Sequence, residues 1–161
     1  MKFPSANNGE TRGKFILLGH SPSWISAIEN ATAPEDLIFA VDLDDLYHEA
    51  QHSFGSIGLI ELPDVETPGN FLRKIAQIAD NPWQVRLIAL VNRQTAPWLP
   101  LARIAGFSRI LRSTIEVKSL STFSENHFRS VDWPHLELET RIESQLPWPI
   151  RSPQPQTRNQ I

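Results

Sequence analysis

The sequence predicts an α/β fold: a doubly wound, five-stranded parallel sheet with helices on both faces. Three observations lead there. Short apolar runs of strand length recur at a spacing of roughly 20–25 residues. Turn residues close most of these runs. Between them lie segments whose apolar residues repeat with helical period. Alternation of strand and helix implies right-handed crossovers, and so a parallel sheet covered on both sides.

The first run, residues 14–18 (Lys-Phe-Ile-Leu-Leu), is nearly all apolar and ends at Gly19-His20-Ser21-Pro22. It reads as a strand buried on both faces. Ser21 is a natural N-cap and Pro22 a natural first helical residue. The helix that follows carries Trp24, Ile25 and Ile28 on one face. Residues 36–41 form the second strand. Residues 44–50 form a short helix whose acidic pair, Asp44 and Asp45, favours its N-terminal dipole. The third strand is 57–62. Phe71, Ile75, Ile78 and Ala79 mark the next helix, which Asp80-Asn81-Pro82 stops. Residues 84–91 are the fourth and most apolar strand. Trp98, Leu101, Ala102 and Ala105 mark the fourth helix, with Gly106 as its C-cap. Residues 108–111 are a short fifth strand, and 117–131 the last helix, with Leu120, Phe123 and Phe128 as its apolar contacts.

The chain has 161 residues, which suits one domain with tails: a polar, disordered lead-in at 1–13, a folded domain at 14–131 and a Pro-rich tail at 132–161. The tail's Trp133 and Trp148 either clamp it onto the domain or anchor a partner. The absence of Cys removes disulfides, thiolate nucleophiles and Cys-based metal sites. It fits a reducing compartment, and with no apolar leader or membrane-length run the expected location is cytoplasmic. A net charge of −3 gives no basic footprint for nucleic acid. No Gly-x-Gly-x-x-Gly follows the first strand and no Gly-x₄-Gly-Lys-Ser/Thr occurs, so nucleotide cofactors lack their phosphate cradle and no cofactor is expected.

In element order and spacing, residues 14–131 resemble the receiver domain of bacterial response regulators. Ser21-Pro22 matches the Asp-Pro that often opens the family's first helix. The loop 62–69 (Leu-Pro-Asp-Val-Glu-Thr-Pro-Gly) is similar to its Pro- and Gly-containing loop, and 101–107 (Leu-Ala-Arg-Ile-Ala-Gly-Phe) to the helix-then-Gly before the fifth strand. The resemblance implies strand order 2-1-3-4-5 in a flavodoxin-like three-layer sandwich. It also implies a phosphorylation switch, and the residues depart from it. The acidic pair falls on Gly19 and His20, the phosphate-accepting Asp on Glu61, the Thr/Ser on Val91 or Asn92, and the Lys on Arg112 or Ser113. A receiver holds Mg²⁺ through carboxylate oxygens, and here one carboxylate stands where three are expected. The resemblance therefore reads as a pseudo-receiver: a non-enzymatic signalling or scaffolding module that binds a protein partner and holds no metal. Relatives pair through the fourth helix, fifth strand and fifth helix. Here that is residues 97–131, with Arg103, Phe107, Arg109 and Arg112 as exposed candidates and a homodimer as one form of pairing.

Other chemistry is weighed at the same sheet edge. Glu61 either mimics a phosphorylated Asp or is a solvated carboxylate bonded to Arg112 or Asn92. The alternative function is a small enzyme using His20, Ser21, Glu61 and Asn92, since open α/β sheets place ligands at the strand C-termini. Gly19-His-Ser-Pro-Ser23 half-matches a nucleophile elbow, lacks its second Gly, and would need His127 or His135 as partner. His48-Glu-Ala-Gln-His52 matches the zinc-protease pattern His-Glu-x-x-His, but no third ligand is evident nearby and chance matches are common. The plainer reading is a solvated helix face.

Overall fold

The computed structural model describes residues 13–81 and 83–131. The expectations for a lead-in before Gly13 and for the tail 132–161, including Trp133, His135 and Trp148, lie outside the described residues. Gly13 itself is buried.

Among the described residues five strands and five α-helices alternate: β1 (Phe15–Leu18), α1 (Pro22–Ala31), β2 (Leu37–Phe39), α2 (Leu43–His52), β3 (Ile57–Glu61), α3 (Gly69–Ala79), β4 (Arg86–Leu90), α4 (Leu99–Ala105), β5 (Arg109–Leu111) and α5 (Leu120–Ser130). The strands form one parallel sheet in the order β2-β1-β3-β4-β5, a flavodoxin-like arrangement. β1 is aligned with β3 from Phe15 opposite Ile57 to Leu18 opposite Ile60. β3 is aligned with β4 from Ile57 opposite Arg86 to Glu61 opposite Leu90.

Side chains of a strand alternate between its faces, and here both faces are apolar. Ile16, Leu18, Ile60, Leu87 and Ala89 join Leu46, Ile75, Ile78 and Ala102 in a core beneath α2, α3 and α4. Phe15, Leu17, Ile57, Leu59, Ile88, Leu90 and Leu111 join Trp24, Ile28 and Leu120 beneath α1 and α5. Gly58 marks a close approach: a Cβ there would lie 2.8 Å from Leu87 Cδ2.

Several boundaries differ from the sequence reading. β2 is three residues, because Pro34–Asp36 forms a 3₁₀ turn before it and Asp42 N-caps α2 just after it. The Asp42 carboxylate accepts the Asp45 N–H at 2.8 Å. The segment expected to be one helix from 117 is a 3₁₀ turn, Thr114–Ser119, leading into α5 at Leu120. Leu101, placed on the apolar stripe of the fourth helix, is instead exposed: a 3₁₀ turn (Ala96–Trp98) precedes α4, and Ala102 and Ala105 are buried with Trp98 and Leu99 packed against the same core.

Gly106 ends α4 at φ 111°, a left-handed cap that glycine adopts without steric cost. Its missing side chain also makes room, since a Cβ there would come within 2.6 Å of Ala79 Cβ. Gly106→Ala is expected to lose about 1–3 kcal/mol of stability, the cost of a non-glycine residue in that region. A lower urea midpoint at unchanged slope would show this, and an unchanged midpoint would contradict it.

Candidate functional site

β3 leaves the core at Glu61, whose side chain lies on the same face as Ile57 and Leu59. That face is covered by α1, and the loop between β1 and α1 passes directly over the strand end. Glu61 as a whole residue is only 7% exposed. Its Oε2 accepts the backbone N–H of His20 at 2.6 Å and of Ser21 at 2.8 Å. Its Oε1 accepts the hydroxyl of Ser21.

The start of α1 explains this set of bonds. A helix begins with N–H groups that have no partner within it, and Pro22 supplies none. Ser21 sits at the N-cap in extended conformation, yet its hydroxyl makes no cap bond. It points to Glu61 instead, and the carboxylate takes over the role of anion at the helix start. Gly19 lies beside the site, where a Cβ would be at ordinary contact distance from Glu61 Oε2, 3.5 Å, and slightly tight against Leu17 Cδ1, 3.3 Å.

Burial, the largest single influence on Glu61, favours the neutral acid. The bonds from the Ser21 hydroxyl and the two N–H groups outweigh it, with the nearby His20 adding to them, and the carboxyl is held below its usual value. A carboxylate so stabilised is a weak proton acceptor.

The expected bond from Glu61 to Arg112 or Asn92 is not formed, and Glu61 is not solvated. The reason is distribution of partners. Asn92 turns its side-chain oxygen to the N–H groups of Gln94 and Thr95, both at 2.9 Å, which closes the β4–α4 loop. Arg112 is exposed and its backbone N–H reaches Glu116 Oε2 at 2.9 Å. Ser113 caps the following 3₁₀ turn through the Ile115 N–H. Val91 is buried in the α2–α4 core and offers no polar group.

His20 is exposed and contributes its backbone N–H. His127 cannot join Ser21 and Glu61. It is buried near the opposite strand ends, where its Nε2–H donates to the Gly55 carbonyl at 2.9 Å. Burial, with the charge of Arg86, lowers its pKa below the usual value, and the Gly55 and Ser56 hydrogen bonds only partly oppose this. His48 and His52 are exposed on α2 with ring centroids 4.4 Å apart, and His52 Nδ1–H donates to the His48 carbonyl at 2.8 Å. Among the described residues no group of three or more His, Cys, Asp or Glu side chains could hold a metal ion.

Of the expected interface residues, Phe107 is a correction: it is 6% exposed and packs in the α2–α4 core. Arg103 is exposed. Arg109 is half-buried, donating to Ser119 Oγ at 2.8 Å and lying over the Phe123 ring at 5.8 Å. Sequence reasoning missed the apolar residues that are exposed here, Leu101, Ile104 and Ile115. Ile104 was detectable, since it falls off the Ala102–Ala105 stripe. Grooves of about 620, 220 and 390 Å³ run along β5 and α5, and none of these three is lined by His20, Ser21, Glu61 or Asn92. Among the described residues no helix is long and apolar enough to cross a membrane.

No protein-family model and no curated protein matches the sequence. Among solved structures, the fold is similar to that of a Burkholderia pseudomallei K96243 protein described as pilus assembly-related, with a TM-score of 0.54 and 10% identity over 76% of this chain and 96% of that one. At that identity the likeness shows the fold alone.

Glu61→Ala is expected to cost about 1–3 kcal/mol, because it leaves three partly buried donors without their acceptor. The two depressed groups also set a pH profile. Each contributes stability that is present above its unfolded pKa and lost as pH falls through its folded pKa. His127 therefore begins to lose its contribution below pH 6.5, and Glu61 below pH 4.5. In urea unfolding across pH, the wild-type-minus-His127→Gln difference should decline from 6.5 downward. The wild-type-minus-Glu61→Ala difference should hold until about 4.5 and then decline. Differences that stay flat with pH would contradict both assignments.

Proposed function

We propose that this chain is a pseudo-receiver, a non-enzymatic signalling or scaffolding module that binds a protein partner without phosphorylation of its sheet edge. The observation that carries this reading is Glu61. At the place where the resembling family keeps a free phosphate-accepting Asp, this chain has a carboxylate with both oxygens hydrogen-bonded to the β1–α1 loop. An incoming phosphoryl group would have to displace those donors, and the residues around it offer neither a carboxylate set for Mg²⁺ nor a lysine. The flavodoxin-like sheet is consistent with the same reading.

Partner binding is assigned to the face formed by residues 97–131. Leu101, Ile104 and Ile115 are 45%, 82% and 74% exposed there, with Arg103 and Arg112 beside them. Exposed apolar side chains rimmed by charge mark contact surfaces in soluble proteins. A second copy of this chain is one partner this face would accept. A cytoplasmic location belongs to the same proposal and rests on the absence of Cys.

The test is incubation with Mg²⁺ and acetyl phosphate, followed by intact mass. An unmodified mass, with no Mg²⁺-dependent change in Trp fluorescence, is the expected outcome. A phosphoryl adduct would overturn the reading, and its position would identify the acceptor.

A further inference from the structure

We propose that the outer edge of β5 docks an extended acidic segment of a partner protein, which adds to the sheet as a strand and sets its carboxylates against Arg103, Arg109 and Arg112. This rests on the reading of the chain as a protein-binding module and specifies the partner's chemistry.

Two independent features meet at this edge. The first is backbone. β5 pairs with β4 on one side, and no described strand pairs with it on the other. The Leu111 carbonyl faces β4, accepting the Val91 N–H at 2.9 Å. Alternation along the strand turns the polar groups of Ile110 outward. An open strand edge is a template for another strand, with main-chain bonds giving affinity and side chains giving specificity.

The second feature is charge. A groove of about 620 Å³ runs along the edge and is lined by Arg103, Phe107, Arg109, Ile110, Arg112 and Glu116, with Ser108 at its start. Among the described residues the ion pair is Lys74–Asp44, so none of the three guanidiniums has a carboxylate within salt-bridge distance. Glu116 is the one acid in the groove lining, and it is turned to the Arg112 backbone N–H. The arginines also flank the edge on both sides. Arg103 comes from α4 on one face of the sheet, and Arg109 is held by Ser119 and Phe123 on the other. An added strand projects its side chains alternately to the two faces. Carboxylates on either face would therefore meet a guanidinium, whose planar fork matches them. A lone phosphate would use the charge and leave the strand edge unused.

The probe is a short fluorescein-labelled peptide of mixed Glu and Thr, titrated with the full chain and read by anisotropy. Two control peptides separate the features: one with Gln in place of Glu, and one N-methylated at every second residue, which keeps the charge and blocks strand pairing. Saturable binding is expected, weakened about tenfold or more by either control, with the Ile110 amide exchanging more slowly in the complex. The variant Arg103→Ser with Arg112→Ser removes exposed side chains without touching the Arg109 anchor. It is expected to bind about tenfold or more weakly at an unchanged melting temperature. Equal binding of the N-methylated peptide would overturn the proposal in favour of a simple anion site, as would full displacement by inorganic phosphate. Equal binding of the Gln peptide, or no loss in the double variant, would overturn it as well. Absence of peptide binding in a chain that also resists acetyl phosphate would defeat this inference alone. A phosphoryl adduct would instead defeat the reading beneath it.

Discussion

The structure depends on a sheet whose central strands are buried on both faces. β1, β3 and β4 send alternate side chains into two separate apolar cores, so almost no polar group can be carried within them. Polar chemistry is forced to the strand ends. Glu61 is the first polar side chain β3 presents, and it is still within the protein's cover. A carboxylate there needs donors, and the nearest are the unpaired N–H groups that open α1. One constraint, burial on two faces, thus decides both where the site is and what state it is in. The bond set also ties β3 to the β1–α1 loop, so the site stabilises the strand order it sits on.

The two outer strands are less constrained, and they differ. β2 ends among exposed apolar residues, Phe39 and Val41, and runs straight into the Asp42 cap of α2. β5 has arginines on both flanks and an open backbone beside them. Charge on an edge strand normally discourages indiscriminate pairing between like copies. Three guanidiniums in no ion pair among the described residues disfavour pairing of this strand edge with a second β5 edge and admit an acidic strand, which turns a general safeguard into a selective surface.

Much of the fold was legible in the sequence because its signals are local. Runs such as 14–18 and 57–62 are apolar over strand length, and Gly106 marks a helix end whose geometry only glycine accepts easily. What was not legible depends on contacts across the chain. Phe107 was expected to be exposed because it falls on the face through which the resembling family pairs, yet the left-handed turn at Gly106 swings it back into the core. Ser21 looked like an ordinary cap, and nothing local says that its hydroxyl reaches a residue 40 positions away. The partners of Glu61 were sought in Asn92 and Arg112, but Asn92 closes its own turn and Arg112 is exposed. Short polar side chains bond locally when they can, and only the structure shows which remain available.

The length of the Glu61 side chain has a geometric consequence. Glu is one methylene longer than Asp, and from the end of β3 it reaches the His20 and Ser21 N–H groups in the loop before α1. The bonds that satisfy His20 and Ser21 occupy both oxygens of Glu61 and lower their basicity. Stability and reactivity compete for the same lone pairs. In this chain the lone pairs hold the loop.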